Sequence, residues 1–303
     1  MASSPKSADS MPLLRLPLEL LYLVSHHAAS PADTNALARC NRQLYELLNK
    51  FLYRNNMRSS DGSALMWAAK NSRSGIARKI FDTCRDIELS TTCLRKALII
   101  AMESCSWGVM KVLIANGADA NTRGGGLGHI LQAASWKGDA DFVRVLLEAG
   151  ADVNAQAGQY GSALTAAAWC GHEDTVRLLI ERGADVNAQS GGYANALQAA
   201  SSAGHQTIVE HLICRGAAVN ATGGFYGSAL QAACWRGNEH VVKALLQAGA
   251  NPHIQGEECA NALLLTLKRK DITIAGLLCT RSIRYFVADK LPCVLHTGSI
   301  ACS

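Results

Sequence analysis

Charge is scarce in this sequence. Asp, Glu, Lys and Arg make up only 17% of its 303 residues, and 29 basic against 24 acidic side chains leave a net charge of +5. That balance is far from the basic stripe a dedicated nucleic-acid binder needs. Aromatics are scarcer still, at 6%, so the 49% of apolar residues must build their core mostly from short aliphatic side chains. So much apolar material excludes wholesale disorder. Long apolar runs are missing as well: Ala97 to Met102 ends at Glu103, short of the roughly 18 residues that cross a bilayer. The segment Leu13 to Val24 is interrupted by Arg15, Pro17 and Glu19 and has no small-residue cleavage site after it, so secretion is not expected. Cys302 stands next to last and not fourth from the end, so prenylation is not expected either.

Disulfide spacing is also absent. The 11 cysteines are odd in number, scatter from Cys40 to Cys302 and include no C-x-x-C, which fits reduced thiols in the cytoplasm and/or nucleus. The nine histidines form no H-E-x-x-H and no zinc-finger spacing with cysteine, so no metal is expected. His172 and His205 fall at equivalent places in a repeat and read as structural. Gly124 to Gly128 resembles a phosphate loop but lacks the following Lys and Ser/Thr; alignment with Ala157 to Gly161 makes it a hairpin between repeats. No serine sits in a G-x-S-x-G elbow. No catalytic residue and no cofactor are expected. Asn220-Ala221-Thr222 matches a glycosylation acceptor, yet Asn220 is one member of a repeated Asn column and is expected to be unmodified. Lys268-Arg269-Lys270 reads as a solvated end cap, with a targeting or nucleic-acid patch as the alternative.

What the chain does have is a period. Gly117, Gly150, Gly183, Gly216 and Gly249 lie 33 residues apart, each followed by Ala. Leu98, Leu131, Leu164, Leu197, Leu230 and Leu263 keep the same spacing, as does the Ala column at 101, 134, 167, 200 and 233. Extended upstream, the period reaches Leu65 and Ala68, so a degenerate first unit begins near Asp61. Downstream, the loop glycine becomes Lys270 and the terminal one Ser282. Atypical end units suit a stacked array whose outer faces meet water. Within one unit, Ser162 caps a short helix over Ala163 to Cys170. Gly171 breaks it, and a second helix carrying Val176, Leu178, Leu179 and Ile180 ends at Gly183. The polar, glycine-rich stretch that follows suits a turn between units.

The run G-x-A-L-x-A-A, followed by G-H-E-D-T-V-R-L-L-I-E-R-G-A-D-V-N-A, resembles the ankyrin repeat over about Asp61 to Ile283. The resemblance implies an all-α solenoid of about seven helix-turn-helix units, spanning 59–284. The family's Thr-Pro-Leu-His becomes Ser-Ala-Leu-Thr at Ser162, Asn-Ala-Leu-Gln at Asn195 and Ser-Ala-Leu-Gln at Ser228. The proline that presets the first turn is lost and the cap is kept. Gln198 and Gln231 stand where the family has His and could replace it as hydrogen-bonding groups. The Gly-rich lead-in with Tyr160, Tyr193 and Tyr226 is similar to ankyrin proteins of filamentous fungi.

Before the array, residues 1–10 hold four serines and are expected to be mobile. Residues 11–58 escape the period but carry apolar positions at helical spacing, Leu16, Leu20, Leu23 and Val24 among them, and read as a small three-helix module. Leu16-Pro17-Leu18-Glu19-Leu20-Leu21, with Cys40-Asn41-Arg42-Gln43-Leu44-Tyr45 further on, resembles an F-box. That resemblance implies docking onto the Skp-type linker of a cullin ubiquitin ligase through Leu16, Pro17, Leu20 and Leu21. The alternative is a helical cap over the first repeat. The tail 285–303 carries no reading.

In a solenoid the fixed positions make the stack and the variable ones face outward. Just before each loop glycine stand Trp136-Lys137, Trp169-Cys170, Ser202-Ala203 and Trp235-Arg236. In the ankyrin family these positions commonly contact partners. Trp and Arg are enriched at binding hot spots, where truncation often costs about 2 kcal/mol or more. Trp136, Lys137, Trp169, Cys170, Trp235 and Arg236 are therefore the candidate groove; the alternative is that the rings lie flat as groove wall. Tyr160, Tyr193, Phe225 and Tyr226 extend the surface over the hairpins, or else pack hairpin to hairpin. The expected function is non-enzymatic protein binding, as a substrate receptor of an SCF-type ligase or, alternatively, as an ankyrin scaffold or transcriptional coregulator. No direct nucleic-acid or membrane partner is expected.

Overall fold

The computed structural model describes residues 53–54, 62–85, 89–124, 126, 128–189, 191–254 and 261–280. The expected F-box-like module over 11–58, with Leu16, Pro17, Leu20 and Leu21, lies outside the described residues except for 53–54, which are helical. So do residues 1–10 and 285–303. The chain divides into two compact units, Met1–Asp119 and Ala120–Ser303. That division falls inside the stretch read from sequence as one repeat domain.

The first unit holds two helix pairs: α1 (Ser63–Lys70) with α2 (Ser74–Thr83), and α3 (Thr91–Glu103) with α4 (Trp107–Ala115). Each first helix packs on its own second, α1 packs on α3, and α2 on α4. Leu65, Ala68, Leu98 and Ala101, the residues on the period, are fully buried. Ser106 ties the pairs together, its Oγ donating to the Ala69 carbonyl at 2.6 Å and lying 2.7 Å from Ser72 Oγ.

The second unit repeats the pairing. α5 (Ile130–Lys137) goes with α6 (Ala140–Glu148), α7 (Ala163–Cys170) with α8 (Glu173–Glu181), and α9 (Ala196–Ala203) with α10 (Gln206–Cys214). α11 (Ala229–Arg236) goes with α12 (Glu239–Gln247), and α13 (Ala262–Arg269) precedes a helical stretch over 272–280. Side-chain caps start several of the first helices: Ser162, Asn195, Ser228 and Asn261 each accept the N–H three residues on. The alanines at 134, 167, 200 and 233 are fully buried, and their small size lets neighbouring first helices lie flank to flank. The second helices touch one another less closely, so this stack bends with its first helices on the inside.

Short hairpins join the pairs. Arg123 bridges His129, Ala157 bridges Gly161, and β1 (Thr222–Gly223) pairs antiparallel with β2 (Gly227–Ser228). Gly124 donates its N–H to the Gly128 carbonyl at 2.9 Å, just inside the Arg123–His129 bridge, so these two glycines belong to a hairpin.

The period survives where its glycines do not. The loop after each first helix needs one left-handed residue: Gly138, Gly171, Gly204 and Gly237 have φ between 77° and 88°. At the same step of the period Ser72, Cys105 and Lys270 adopt φ of 54°, 50° and 59°, a conformation that costs a residue with a side chain about 1 kcal/mol. Stacking holds the backbone in that turn against the local preference of these residues.

Two side-chain series bind the second unit together. Asn121 donates to the Gly150 carbonyl at 3.0 Å and accepts from the Asp152 N–H at 2.8 Å. Asn154 does the same with Gly183 and Asp185, Asn187 with Gly216 and Ala218, and Asn220 with Gly249 and Asn251. Asn220 therefore uses both ends of its amide in the ladder. In the second series Gln132 donates to the Ala155 and Gly161 carbonyls, Gln198 to Ala221 and Gly227, and Gln231 to Ile254. The glutamines do take on inter-unit bonding. Thr165, at the same step, is too short to cross; its hydroxyl stays 2.9 Å from Ser162 Oγ.

Candidate functional site: an aromatic and basic groove

The last two residues of the first helices become exposed because everything before them is buried in the stack. From Ile130 to Ser135 and from Ala163 to Ala168 every residue is buried; Trp136, Lys137, Trp235 and Arg236 are exposed, and Trp169 and Cys170 half-buried. The loop turn places these side chains on the inner layer. Behind them, backbone carbonyls are capped by the next pair: His172 Nε2 lies 3.0 Å from Trp136 O, His205 Nε2 lies 3.1 Å from Trp169 O, and Arg269 donates to Trp235 O at 2.8 Å. Both histidines are thus parts of the scaffold, as their place in the period suggests.

Trp169 is where groove and hairpins meet. Its ring lies 4.3 Å, centre to centre, from that of Tyr193, which sits on the hairpin preceding α9. Tyr193 stacks in turn on Tyr160 at 6.1 Å and on Tyr226 at 6.5 Å, and meets Phe225 edge-on at 6.4 Å. On the groove side, the Arg236 guanidinium carbon stands 5.7 Å from the Trp169 ring centre, and Arg236 Nε donates to Ser202 Oγ at 3.4 Å. Arg236, Trp169 and Tyr193 form one continuous stack. Glycine makes it possible: a Cβ on Gly192 would collide with the Phe225 ring, and the Phe225 N–H donates to the Gly192 carbonyl at 3.0 Å.

The two readings of the aromatic residues therefore divide between them. Tyr160, Tyr193 and Tyr226 pack hairpin to hairpin, while Phe225 remains 65% exposed. Trp136 and Trp235 are 39% and 47% exposed, whereas Trp169 is partly wall. Burial pushes the Tyr193 phenol above its ordinary range, helped by the neighbouring Tyr226 and Tyr160 and opposed by Arg236. Burial also raises the Cys170 thiol, so the groove cysteine is less nucleophilic than a free one. Period counting does not show Tyr193 as the hub, nor Ser202 as the acceptor that steadies Arg236. The glycine pair Gly191-Gly192 just before Tyr193 is the sequence signal for the close approach.

Among the described residues, no group of three or more His, Cys, Asp or Glu side chains stands where it could hold a metal ion, and no helix is long and apolar enough to cross a membrane. Residues 126–190 and 191–256 match the family model described as ankyrin repeats (3 copies). Over these residues the chain is similar to ankyrin repeats. The matched stretches hold α5 to α12, with Trp136, Trp169, Trp235 and all four hairpin aromatics. No curated protein matches the chain. Ankyrin repeats make this part of the protein a protein–protein interaction module.

Proposed function

We propose that the chain is a non-enzymatic substrate receptor of a cullin-based, SCF-type ubiquitin ligase, acting in the cytoplasm, the nucleus or both. About seven ankyrin units over 59–284 present the groove to a protein partner. The F-box-like module over 11–58 docks onto the Skp-type linker through Leu16, Pro17, Leu20 and Leu21. The observation that supports the groove is the Arg236–Trp169–Tyr193 stack, in which the residue types most enriched at hot spots are pre-arranged on the inner layer. Phe225 and the exposed rings of Trp136 and Trp235 enlarge the apolar area a partner covers.

Affinity capture with the full chain and with a chain lacking residues 11–54 tests the ligase assignment. Recovery of the linker with the intact chain and its loss on deletion is the expected result. Absence of the linker from the intact chain's complexes makes the protein an ankyrin scaffold or transcriptional coregulator whose N-terminal helices only cap the stack. The groove is tested separately by Trp235→Ala and Trp169→Ala, which should weaken the same partner about tenfold or more. The helical circular-dichroism signal should stay near that of the parent.

A further inference from the structure

The helices of the second unit sort their charge by layer. The first helices α5, α7, α9, α11 and α13 carry Lys137, Arg236, Lys268 and Arg269 and no carboxylate. Every Asp and Glu within a described helix of this unit, from Asp141 to Glu239, stands on a second helix. The stretches 154–161, 187–194 and 220–227, between α6 and α11, carry no Asp, Glu, Lys or Arg, while Arg123 stands on the hairpin before α5. A partner approaching the inner layer meets cations and aromatic faces; one approaching the outer layer meets mixed charge.

Arg236 is the cation best prepared for a ligand. Its guanidinium stands over the Trp169 ring and is steadied through Nε by Ser202, a buried residue. A guanidinium held against an indole still offers its planar edge, which matches a carboxylate through two parallel N–H···O bonds. Because Trp169 is itself packed on Tyr193, little side-chain freedom remains to be lost on binding.

We propose that the groove selects an acidic peptide segment of its protein partner. One carboxylate takes the edge of Arg236, and a neighbouring aromatic or aliphatic side chain covers the exposed ring of Trp235 or Phe225. Lys137 and Lys268, further along the same layer, steer the rest of the segment by longer-range attraction. This rests on the groove reading above and adds the chemistry of the occupant to it. Nucleic acid fits less well: these cations are few, the stretches 154–161, 187–194 and 220–227 between Lys137 and Arg236 are neutral, and Glu257 and Glu258 precede Lys268 in sequence, whereas a phosphate backbone calls for a row of basic side chains.

The test uses the full chain and three fluorescein-labelled probes read by anisotropy: a peptide of alternating Glu and Tyr, one of alternating Lys and Tyr, and a single-stranded oligonucleotide. The Glu/Tyr peptide should bind most tightly and weaken as salt rises. Arg236→Glu should reduce its affinity about tenfold or more, Arg236→Lys by less, and Trp169→Ala should weaken it although every cation is retained. Equal binding of the Lys/Tyr peptide, tighter binding of the oligonucleotide, or an unaltered Arg236→Glu variant with native circular dichroism would overturn the proposal. The two readings fail separately: a captured protein partner lost on Trp169→Ala but untouched by Arg236→Glu sinks the acidic segment and leaves the groove standing, whereas a partner untouched by both sinks the groove.

Discussion

A single backbone angle repeated along the chain sets the residue-scale energetics. Cys105 and Lys270 occupy a left-handed turn that glycine fills in the central pairs. Cys105→Gly and Lys270→Gly should therefore each raise stability, by about 0.5–1 kcal/mol, with the unfolded chain's extra freedom taking back part of the gain. Urea denaturation of each variant checks this, and destabilisation by either would show that its side chain contributes more than its backbone costs. A second residue-scale effect concerns thiols. Burial first, and the Asp271 charge second, push the Cys234 thiol up to about 12 from a usual 9.0. Ionising this group favours the unfolded chain. Its contribution to stability is thus complete below about pH 9 and lost progressively as pH rises from there toward 12. In the native protein Cys234 should resist iodoacetamide at pH 8 while exposed Cys214 and Cys279 are alkylated. Peptide mass spectrometry reads both outcomes, and Cys234→Ser should flatten the alkaline loss.

At the scale of elements, the helix pairs were readable because one physical demand, close approach of first helices, puts small residues on a fixed spacing. Leu65 and Leu98 confirm that reading where every loop glycine has gone. The helix of Ala163 to Cys170, its Ser162 cap and its stop at Gly171 also stand where the residues put them. Contacts between distant side chains were less legible. Nothing in the spacing says that Trp169 on a helix meets Tyr193 on a hairpin, because that depends on how far each hairpin leans over its neighbour. The asparagine column was visible as a column, but its bonds were not. Asn187→Ala removes a donor and an acceptor that link two pairs, and should destabilise by about 1–2 kcal/mol. Asn187→Asp, which keeps only the acceptor, should cost less; equal costs would show that the bond accepted from the Ala218 N–H contributes little.

At the largest scale, contacts within each unit run from one helix pair to the next, so stability there is a sum over neighbours instead of one shared core. The pair at the end of the described array is the weakest summand. Leu264 and Leu267 on α13 are 49% and 56% exposed, and Leu263 is only half-buried where its counterparts are buried. Hydrogen exchange should accordingly be faster over 262–280 than over α9 and α10, with a uniform rate excluding neighbour-by-neighbour behaviour.

Thr165 leaves the stretch 187–194 without the amide tether that Gln132 and Gln198 give to theirs, and Trp169 against Tyr193 joins the Asn187 and Gly192 bonds in holding it. If the groove binds as proposed, recognition and anchorage fall to the same indole. A ligand that draws Arg236 tighter against Trp169 should steady the main chain around Tyr193, and one that pries the ring away should release it, so this stretch reports on the groove's occupancy from outside it.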